Sequence, residues 1–426
     1  MTGETRLPGE PNPAERRYAL MIVGAVLVAM FIGLLIEGPG KHDRVTGSQG
    51  PFPKPLGSAA PAAPTQVVHR SHRPVAIVHG LAVETTDFAL VALNACTGKE
   101  YWRYEPFGDP DVVSVEVSAD TVAAWFDDGK LVAIDLRTGT VRWRAHLTSR
   151  GFRGLDIGAG RIFVETSGAV TAFSERDGDV LWRMKEASPS CTDPTPWDVH
   201  DMAEHLTVVN MNCDASDEQS GILIGVDSRS GAELWRRPVR QHVRRADGHT
   251  LVAVAPTDTG QAGGAPLIQL LAVDRNGAEP RAEFTSDDWF PPDAQGSVVI
   301  GEGDDEPPGT FHSTLLTAYD TQAGERAWER RAAEGFSFGS AAIADGRVYV
   351  VENSTVLDEY EDQERDLQAD LLVLDARTGK LLHRLRLPDL TVPDGVRPTD
   401  LMVQGVGDGA VRLGWAVSRD DEWIVT

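Results

Sequence analysis

The sequence predicts an all-β domain, a β-propeller of four-stranded blades, preceded by one membrane-spanning helix. A motif of apolar strand, polar turn and second strand recurs at intervals of roughly 40 to 55 residues along most of the chain. A single long apolar run, residues 18–36, stands near the N-terminus. The repeat predicts the fold of the domain, and the apolar run predicts how the domain is attached.

The apolar run is the first element of the chain. Residues 18–36 contain no charged side chain and would form a helix of about 28 Å, close to the hydrocarbon thickness of a bilayer. Arg16 and Arg17 precede it directly, so the positive-inside rule places residues 1–17 in the cytoplasm as a short tail. A cleaved signal peptide would be shorter and closely followed by a small-residue cleavage site, which Glu37–Lys41 lacks. We therefore expect an uncleaved signal anchor in the cytoplasmic membrane, with the rest of the chain outside.

Residues 37–65 form the second element, a segment rich in Pro, Gly and Ala. It has no periodic apolar pattern, so we predict a disordered linker. As a flexible coil its ends would lie about 30 Å apart. The folded domain is then expected over residues 66–426.

The repeat in that domain is defined by three positions at fixed offsets. A short polar residue ends the first strand, a Gly follows four residues later, and a Trp stands eight residues after the polar position. The polar residues are Asn94, Asp135, Ser174, Asp227, Asp274, Asp320 and Asp375. The glycines are Gly98, Gly139, Gly178, Gly231, Gly324 and Gly379, and the tryptophans are Trp102, Trp143, Trp182, Trp235 and Trp328. The polar residue is expected to accept hydrogen bonds from turn amides, the Gly to adopt a left-handed conformation, and the Trp to pack against the neighbouring repeat.

The strands around these turns predict a closed ring. Strands such as 131–135 and 371–375 are apolar on both faces, so each sheet must be covered on both sides. Sheets of four strands packed face to face in a ring satisfy this requirement. Three further strands are expected at the C-terminus, Leu401–Val406, Val411–Val417 and Trp423–Val425, and Thr65–His69 would supply their missing outer strand. This pairing of the two termini favours eight blades, with seven as the alternative.

Departures from the repeat indicate where function lies. The fifth unit has Gly277 one position early and no Trp, and the seventh has His383 in place of Trp. Long insertions precede the fourth, sixth and seventh motifs, including the acidic segments 301–309 and 357–366. Insertions in repeat proteins map to loops, and loops carry binding functions. Cation binding by the two acidic segments is left open.

The motif, as in LVAIDLRTGTVRWR (131–144), resembles the pyrroloquinoline-quinone (PQQ)-like β-propeller repeat. That repeat occurs in quinoprotein dehydrogenases and in the propeller lipoprotein of the outer-membrane barrel-assembly machinery. The resemblance covers roughly residues 66–426 and implies the propeller fold. Similarity to the lipoprotein implies protein–protein scaffolding. Similarity to the dehydrogenases implies an adjacent pair of cysteines, calcium-binding carboxylates, a catalytic Asp and an Arg, but no two cysteines of this chain are adjacent.

Five tryptophans fall outside the repeat register and are therefore the candidates for a surface role. They are Trp125, Trp197, Trp289, Trp415 and Trp423. Among the cysteines, Cys191 and Cys213 flank two predicted neighbouring strands, so we predict a disulfide between them in an exported domain. Cys96 lies in a hairpin turn, where we expect a free thiol.

The remaining composition limits the function. A net charge of −24 argues against nucleic acid as a partner. No catalytic, cofactor-binding or metal-ligating residue is predicted, and no PQQ or calcium is expected. We predict a non-catalytic, membrane-anchored scaffold or ligand-binding ectodomain that meets a protein partner through its loops. The alternatives are a PQQ-dependent dehydrogenase-like enzyme and an extracellular sensor that signals through a partner.

Overall fold

The computed structural model describes most of the chain beyond residue 42. The described ranges are 43–54, 59–70, 74–86, 88–147, 151–166, 169–185, 195–203, 205–212, 221–239, 243–255, 267–285, 293–303, 313–320, 322–323, 325–354, 366–388, 390–391, 401–415 and 422–426. Every regular element in these ranges is a β-strand. These residues form no helix that is long and apolar enough to cross a bilayer, and the predicted helix 18–36 lies outside them.

Eight antiparallel blades follow one another along the described chain. Two strands precede them, β1 (Arg44–Thr46) and β2 (Val67–Arg70). Blades 1 to 4 are β3 (Pro74–Val78), β4 (Leu81–Thr86), β5 (Ala89–Asn94) and β6 (Glu100–Glu105); β7 (Val112–Val117), β8 (Thr121–Phe126), β9 (Lys130–Asp135) and β10 (Val141–His146); β11 (Phe152–Gly158), β12 (Arg161–Thr166), β13 (Ala169–Ser174) and β14 (Val180–Lys185); and β15 (Thr195–Asp201), β16 (Leu206–Asn212), β17 (Gly221–Asp227) and β18 (Glu233–Val239).

The second half of the ring repeats this plan with one irregular blade. Blades 5 and 6 are β19 (Val243–Arg245), β20 (Thr250–Ala255), β21 (Leu267–Asp274) and β22 (Gly277–Thr285); and β23 (Asp293–Gln295), β24 (Val298–Gly303), β25 (Leu315–Asp320) and β26 (Glu325–Arg331). Blade 7 has its first strand in two pieces, and a separate pair joins β30 to β33; the strands are β27 (Phe336–Phe338), β28 (Ala342–Ala344), β29 (Arg347–Ser354), β30 (Asp366–Leu367), β31 (Ala369–Asp375), β32 (Leu381–Arg386) and β33 (Leu390–Thr391).

Blade 8 closes the ring by joining the two ends of the domain. Its first three strands are β34 (Leu401–Gly407), β35 (Ala410–Trp415) and β36 (Glu422–Val425), and its outer strand is β2. Val67 pairs with Val425 and Arg70 with Glu422. The predicted eight-bladed arrangement and its closure through the N-terminal strand are confirmed.

The first strands of consecutive blades lie beside one another around the central axis, from β3 through β7, β11, β15, β19 and β23 to β28 and β34. The apolar faces of the sheets pack between blades. Between blades 1 and 2, for example, Trp102, Tyr104 and Phe126 are fully buried together. Such a core forms because the strands are apolar on both faces and each blade covers its neighbour.

The ring has two distinct ends. We call one the turn face: it carries the hairpins between first and second strands and between third and fourth strands, which are two to five residues long. The other, the loop face, carries the hairpins between second and third strands and the connections between blades. Chain direction alternates within a blade, so every connection can be assigned to one face from its flanking strands.

Within the predicted linker 37–65, residues 43–54 and 59–65 are not disordered. β1 pairs antiparallel with β6, which gives blade 1 a fifth strand. Phe52 packs edge-on against Tyr101, with ring centroids 5.7 Å apart. Farther along, the amide of Ala60 donates to Asp345, 2.7 Å away in blade 7. The segment holds these positions because it finds strand edges and side-chain acceptors on blades 1, 7 and 8, contacts that its composition does not reveal. We call residues 43–66 the clasp.

Candidate interaction surface

The repeat residues lie on the turn face and stabilise it. In blade 2, Asp135 Oδ1 accepts hydrogen bonds from the amide and the hydroxyl of Thr138, both at 2.9 Å. Burial raises the pKa of Asp135, but hydrogen bonds from Arg142 and Thr138 outweigh it and hold that pKa below its ordinary value. Asn94, Asp227, Asp274, Asp320 and Asp375 accept turn amides in the same way.

Each described repeat tryptophan joins its own blade to the next one. The indole N–H groups donate across the blade interface to carbonyl oxygens of the following turn: Trp102 to Leu136 at 2.8 Å, Trp143 to Glu175 at 3.0 Å, Trp182 to Ser228 at 2.9 Å, Trp235 to Asp274 at 2.9 Å and Trp328 to Ala376 at 2.8 Å. The rings of Trp102, Trp143, Trp182 and Trp328 also lie on the turn glycine of the next blade.

Gly139 shows why this turn position is a glycine. Its φ is +71°, and a Cβ there would lie 2.6 Å from the ring of Trp102. Gly178, Gly231 and Gly379 meet Trp143, Trp182 and Trp328 at the same distance to within 0.1 Å. Gly98 also has a positive φ, whereas Gly324 lies outside the described residues. The motif is therefore an interlock between blades, and its residues are unavailable for chemistry.

The two departures from the repeat have local explanations. His383 stands where Trp is expected because blade 8, the next blade, has no third-to-fourth turn; its outer strand comes from the N-terminus. The imidazole instead lies 2.9 Å from the carbonyl oxygen of Pro64 in the clasp. In blade 5 the early Gly277 reflects a tighter turn in which Asp274 pairs directly with Gly277. Arg275 of this turn binds Asp227 of blade 4 at 2.8 Å.

Three of the five tryptophans outside the register are buried, which corrects the prediction of a surface role. Trp125 is 3% exposed and stacks on Phe152 with centroids 4.9 Å apart. Trp415 and Trp423 are 0% and 6% exposed and pack edge to face in blade 8. They fill space between neighbouring blades. The side chains of Trp197 and Trp289 lie outside the described set.

The loop face differs from the turn face in the length of its connections. Strands of blades 4 to 8 that end at this face flank the long segments 186–194, 213–220, 256–266, 286–292, 304–312, 355–365, 392–400 and 416–421. Second-to-third hairpins of blades 1 to 3 have only two or three residues. The acidic segments 301–309 and 357–366 therefore leave from the same face, although their residues 304–309 and 357–365 lie outside the described ranges. The turn face is therefore built from the repeat turns, and the long connections leave from the loop face.

Charged side chains of the first strands of blades 2 and 3 and of β35 in blade 8 interact with one another. Glu116 of β7 lies within electrostatic range of Asp156 of β11 and Arg412 of β35. Burial and the nearby Asp156 raise the pKa of Glu116 to about 7, and Arg412 opposes the shift. Arg412 donates to the carbonyl of Val75 at 2.9 Å. Within the described ranges no three His, Cys, Asp or Glu side chains form a group that could hold a metal ion.

Of the three cysteines, Cys96 lies within the described residues. Cys96 is exposed with a free thiol in the turn between β5 and β6, on the turn face. Cys191 and Cys213 lie outside the described residues. Thr195 and Asn212 are paired across β15 and β16, so the chain passes the loop face of blade 4 near both cysteine positions. The disulfide between Cys191 and Cys213 stays a prediction.

Comparison with known proteins supports this fold. The sequence model of the family described as outer membrane protein assembly factor BamB matches residues 86–297. The BamB of Nitrosomonas eutropha is 32% identical over 126 residues, which cover 26% of this chain and 31% of that protein. Less than a third of that relative is therefore spanned by the match. The BamB of Burkholderia pseudomallei is 23% identical over 338 residues, 74% of this chain and 79% of that protein.

Relatives also include proteins named as enzymes. The dehydrogenase subunit of a quinone alcohol dehydrogenase from Komagataeibacter europaeus is 28% identical over 148 residues, 28% of this chain and 20% of that protein. Among solved structures, BamB from Moraxella catarrhalis superposes with a TM-score of 0.51 at 14% identity, covering 85% of this chain and 99% of that chain. This likeness shows the fold alone. The predicted resemblance to the PQQ-like repeat family is confirmed.

Proposed function

We propose that this propeller of PQQ-like repeats is a non-catalytic interaction module, anchored outside the cytoplasmic membrane, which binds a protein partner through its loop face. The observation that carries the proposal is the contrast between the faces. The turn face is occupied by the interlocks between blades, whereas the long connections of blades 4 to 8 all leave from the loop face. Binding surfaces of repeat folds are built from such variable connections on one side of a regular scaffold.

The relatives point to the same class of function. BamB proteins are named as factors in the assembly of outer membrane proteins. Binding to other proteins suits a fold whose repeat residues are engaged in packing between blades. The name of the BamB relatives does not identify the pathway in which this chain acts. The sequence similarity lies in the repeats, and one fold serves many functions.

The quinone dehydrogenases supply the alternative class. Their likeness implies adjacent cysteines and carboxylates for calcium, but the cysteines of this chain are Cys96, Cys191 and Cys213. The charged groups described near the axis, such as Glu116 and Asp156, do not assemble into a metal-binding group with a third ligand. These residues do not fit the cofactor site of that class, and they offer no reaction step through it.

Photocrosslinking tests the interaction surface directly. A benzophenone amino acid at Glu334, exposed on the loop face beside blade 7, is compared with the same probe at Arg377, exposed on the turn face of blade 7. In native membranes the probe at Glu334 should give a discrete adduct with one abundant protein, identified by mass spectrometry, and the probe at Arg377 should not. An adduct from the probe at Arg377 alone would place the partner on the turn face and contradict the proposal.

A further inference from the structure

The clasp fixes the place at which the chain leaves the propeller towards its N-terminus. Asp43 accepts hydrogen bonds from the amide of Phe107 at 2.8 Å and from the hydroxyl of Tyr104 at 2.9 Å. It also forms an ion pair with Arg144 of blade 2, with a closest distance of 2.6 Å. Tyr104 and Phe107 lie at the loop-face end of β6 and just beyond it. Asp43 is thus held at the outer edge of the loop face, where blades 1 and 2 meet.

The residues after Asp43 are held against blade 1 and do not lengthen the connection to a membrane anchor. Arg44 pairs with Glu105 and Thr46 with Arg103, so β1 follows β6 towards the turn face. The amide of Gln49 then donates to the carbonyl of Tyr101 at 2.7 Å. Only residues before Asp43 can therefore separate the propeller from a membrane anchor.

The free part of the tether is short. The predicted helix ends at residue 36, which leaves six residues, 37–42, before Asp43. Even fully extended, the seven steps from residue 36 to Asp43 span at most about 25 Å. The headgroup layer takes up roughly 6 Å of that reach. Asp43 must therefore lie within about 20 Å of the lipid surface.

Exposed aromatic side chains lie beside this point. Phe107 is 47% exposed and Phe88, in the hairpin between β4 and β5, is 50% exposed. The pairing of Leu90 with Tyr104 sets the ends of β5 and β6 level, so both phenylalanines project from the same stretch of the loop face. Val45 of β1 is also partly exposed there. Apolar side chains left in water at one edge mark a contact surface.

We propose that this edge of blade 1 rests against the lipid surface, with Phe88 and Phe107 in the headgroup layer and the turn face directed away from the membrane. The proposal rests on the membrane anchor of the proposed function and adds the orientation of the propeller. Two aromatic contacts are weak alone, but a short tether gives them an effective concentration in the millimolar range. The net charge of −24 is screened beyond about 8 Å at physiological salt, so only charges at this edge meet the lipid directly. Among them Arg44 is ion-paired with Glu105 and Arg144 with Asp43.

This orientation defines the kind of partner that the loop face meets. The long connections of blades 4 to 8 leave from the face that is turned towards the bilayer. A partner bound there must present its own surface close to the membrane. Proteins with membrane-embedded segments satisfy that condition, whereas a partner confined to the distant side of the propeller does not.

Fluorescence quenching in liposomes tests the orientation. Full-length protein is reconstituted into phosphatidylethanolamine and phosphatidylglycerol vesicles that carry a spin label on the lipid headgroup. The far probe is a fluorophore on native Cys96, and the near probes are Phe107→Cys and Phe88→Cys, each combined with Cys96→Ser. Cys191 and Cys213 are replaced by Ser in every variant. Alkaline carbonate extraction of each sample reports separately whether the protein is anchored.

The near probes should lose emission to the spin label, while the probe on Cys96 keeps its emission. Cys96 stands one strand length farther from the loop face, about 20 Å, which is beyond contact quenching. Equal loss at both sites, or greater loss at Cys96, in protein that resists extraction would overturn the orientation and leave the anchor intact. Release of the protein by carbonate would instead remove the anchor and the orientation together.

Discussion

At the scale of single residues, the repeat tryptophans and aspartates serve the packing of blades and turns. Both residue types are common in active sites. Here the repeat aspartates accept hydrogen bonds within turns, and the repeat tryptophans pack between blades. Asp227 illustrates the electrostatic side: the hydrogen bond from Arg275, together with those from the turn Ser230 and Arg229, holds its pKa well below the ordinary value. Such carboxylates stay ionised and engaged, so they are poor candidates for proton transfer.

The interlock makes a stability prediction at Trp143. Trp143→Ala removes a side chain that is 8% exposed, its contact with Gly178 and its hydrogen bond to Glu175, so we expect a loss of about 3 to 5 kcal/mol in the free energy of unfolding. Denaturant titration measures it. Val180→Ala, at a side chain that is 59% exposed, serves as the matched control and should change stability by less than about 0.5 kcal/mol. Similar losses for both variants would contradict an interlock.

Glu116 makes a prediction about pH. Its pKa is raised from 4.5 to about 7, chiefly by burial. Between these values the folded protein binds a proton that the unfolded chain has lost, so this group stabilises the fold as the pH falls from about 7 towards 4.5 and costs stability above about 7. Glu116→Gln should therefore raise stability near pH 8, by at most about 3 kcal/mol, with little gain near pH 4.5.

Unfolding titrations at several pH values measure the difference between Glu116→Gln and the parent protein. Glu279→Gln is the control, because that carboxylate is largely exposed (its side chain retains 83% of its accessible surface) and should leave the pH profile unchanged. A difference between Glu116→Gln and the parent that stays constant across this range would refute a buried carboxyl that titrates near neutrality.

At the scale of elements, regular strands were predictable and the clasp was not. Each repeat carries its own local signals, an apolar strand, a polar turn and a Gly, so the sequence alone predicted the strands of the repeats. It also predicted a closing strand at Thr65–His69, which the structure shows at Val67–Arg70. The clasp has no such signal. Its Pro and Gly content is typical of linkers, while its contacts, such as Ala60 with Asp345, join residues far apart in sequence.

The candidate surface was predictable in part for the same reason. Insertions before the fourth, sixth and seventh motifs could be seen in the sequence, but their common face follows only from strand direction within each blade. The out-of-register Trp125, Trp415 and Trp423 failed as surface candidates because the repeat pattern cannot show which blade interface an isolated aromatic side chain fills. The anchor 18–36 and the disulfide between Cys191 and Cys213 stay predictions.

At the scale of the whole molecule, stability depends on closing a ring whose end strands pair over 352 residues at Arg70↔Glu422 and over 358 residues at Val67↔Val425. Closure therefore couples the first and last strands of the domain over almost its full length. Blade 8 has three strands without β2, and its apolar face against blade 7 includes Trp415 and Trp423. An open ring would leave that face and the edge of β36 in water.

Three truncations separate the roles of the closing strand and the clasp. A chain starting at Asp43 retains every described contact and should unfold cooperatively at the temperature of the full-length domain. A chain starting at Thr65 keeps β2 but loses the contacts of Asp43, Phe52 and Ala60, so its melting temperature should fall while the monomer persists. A chain starting at Pro74 loses β2, and we expect it to associate or aggregate because β36 becomes an unpaired edge. Calorimetry and size-exclusion chromatography distinguish the three, and a stable monomer starting at Pro74 would mean that closure by β2 is dispensable.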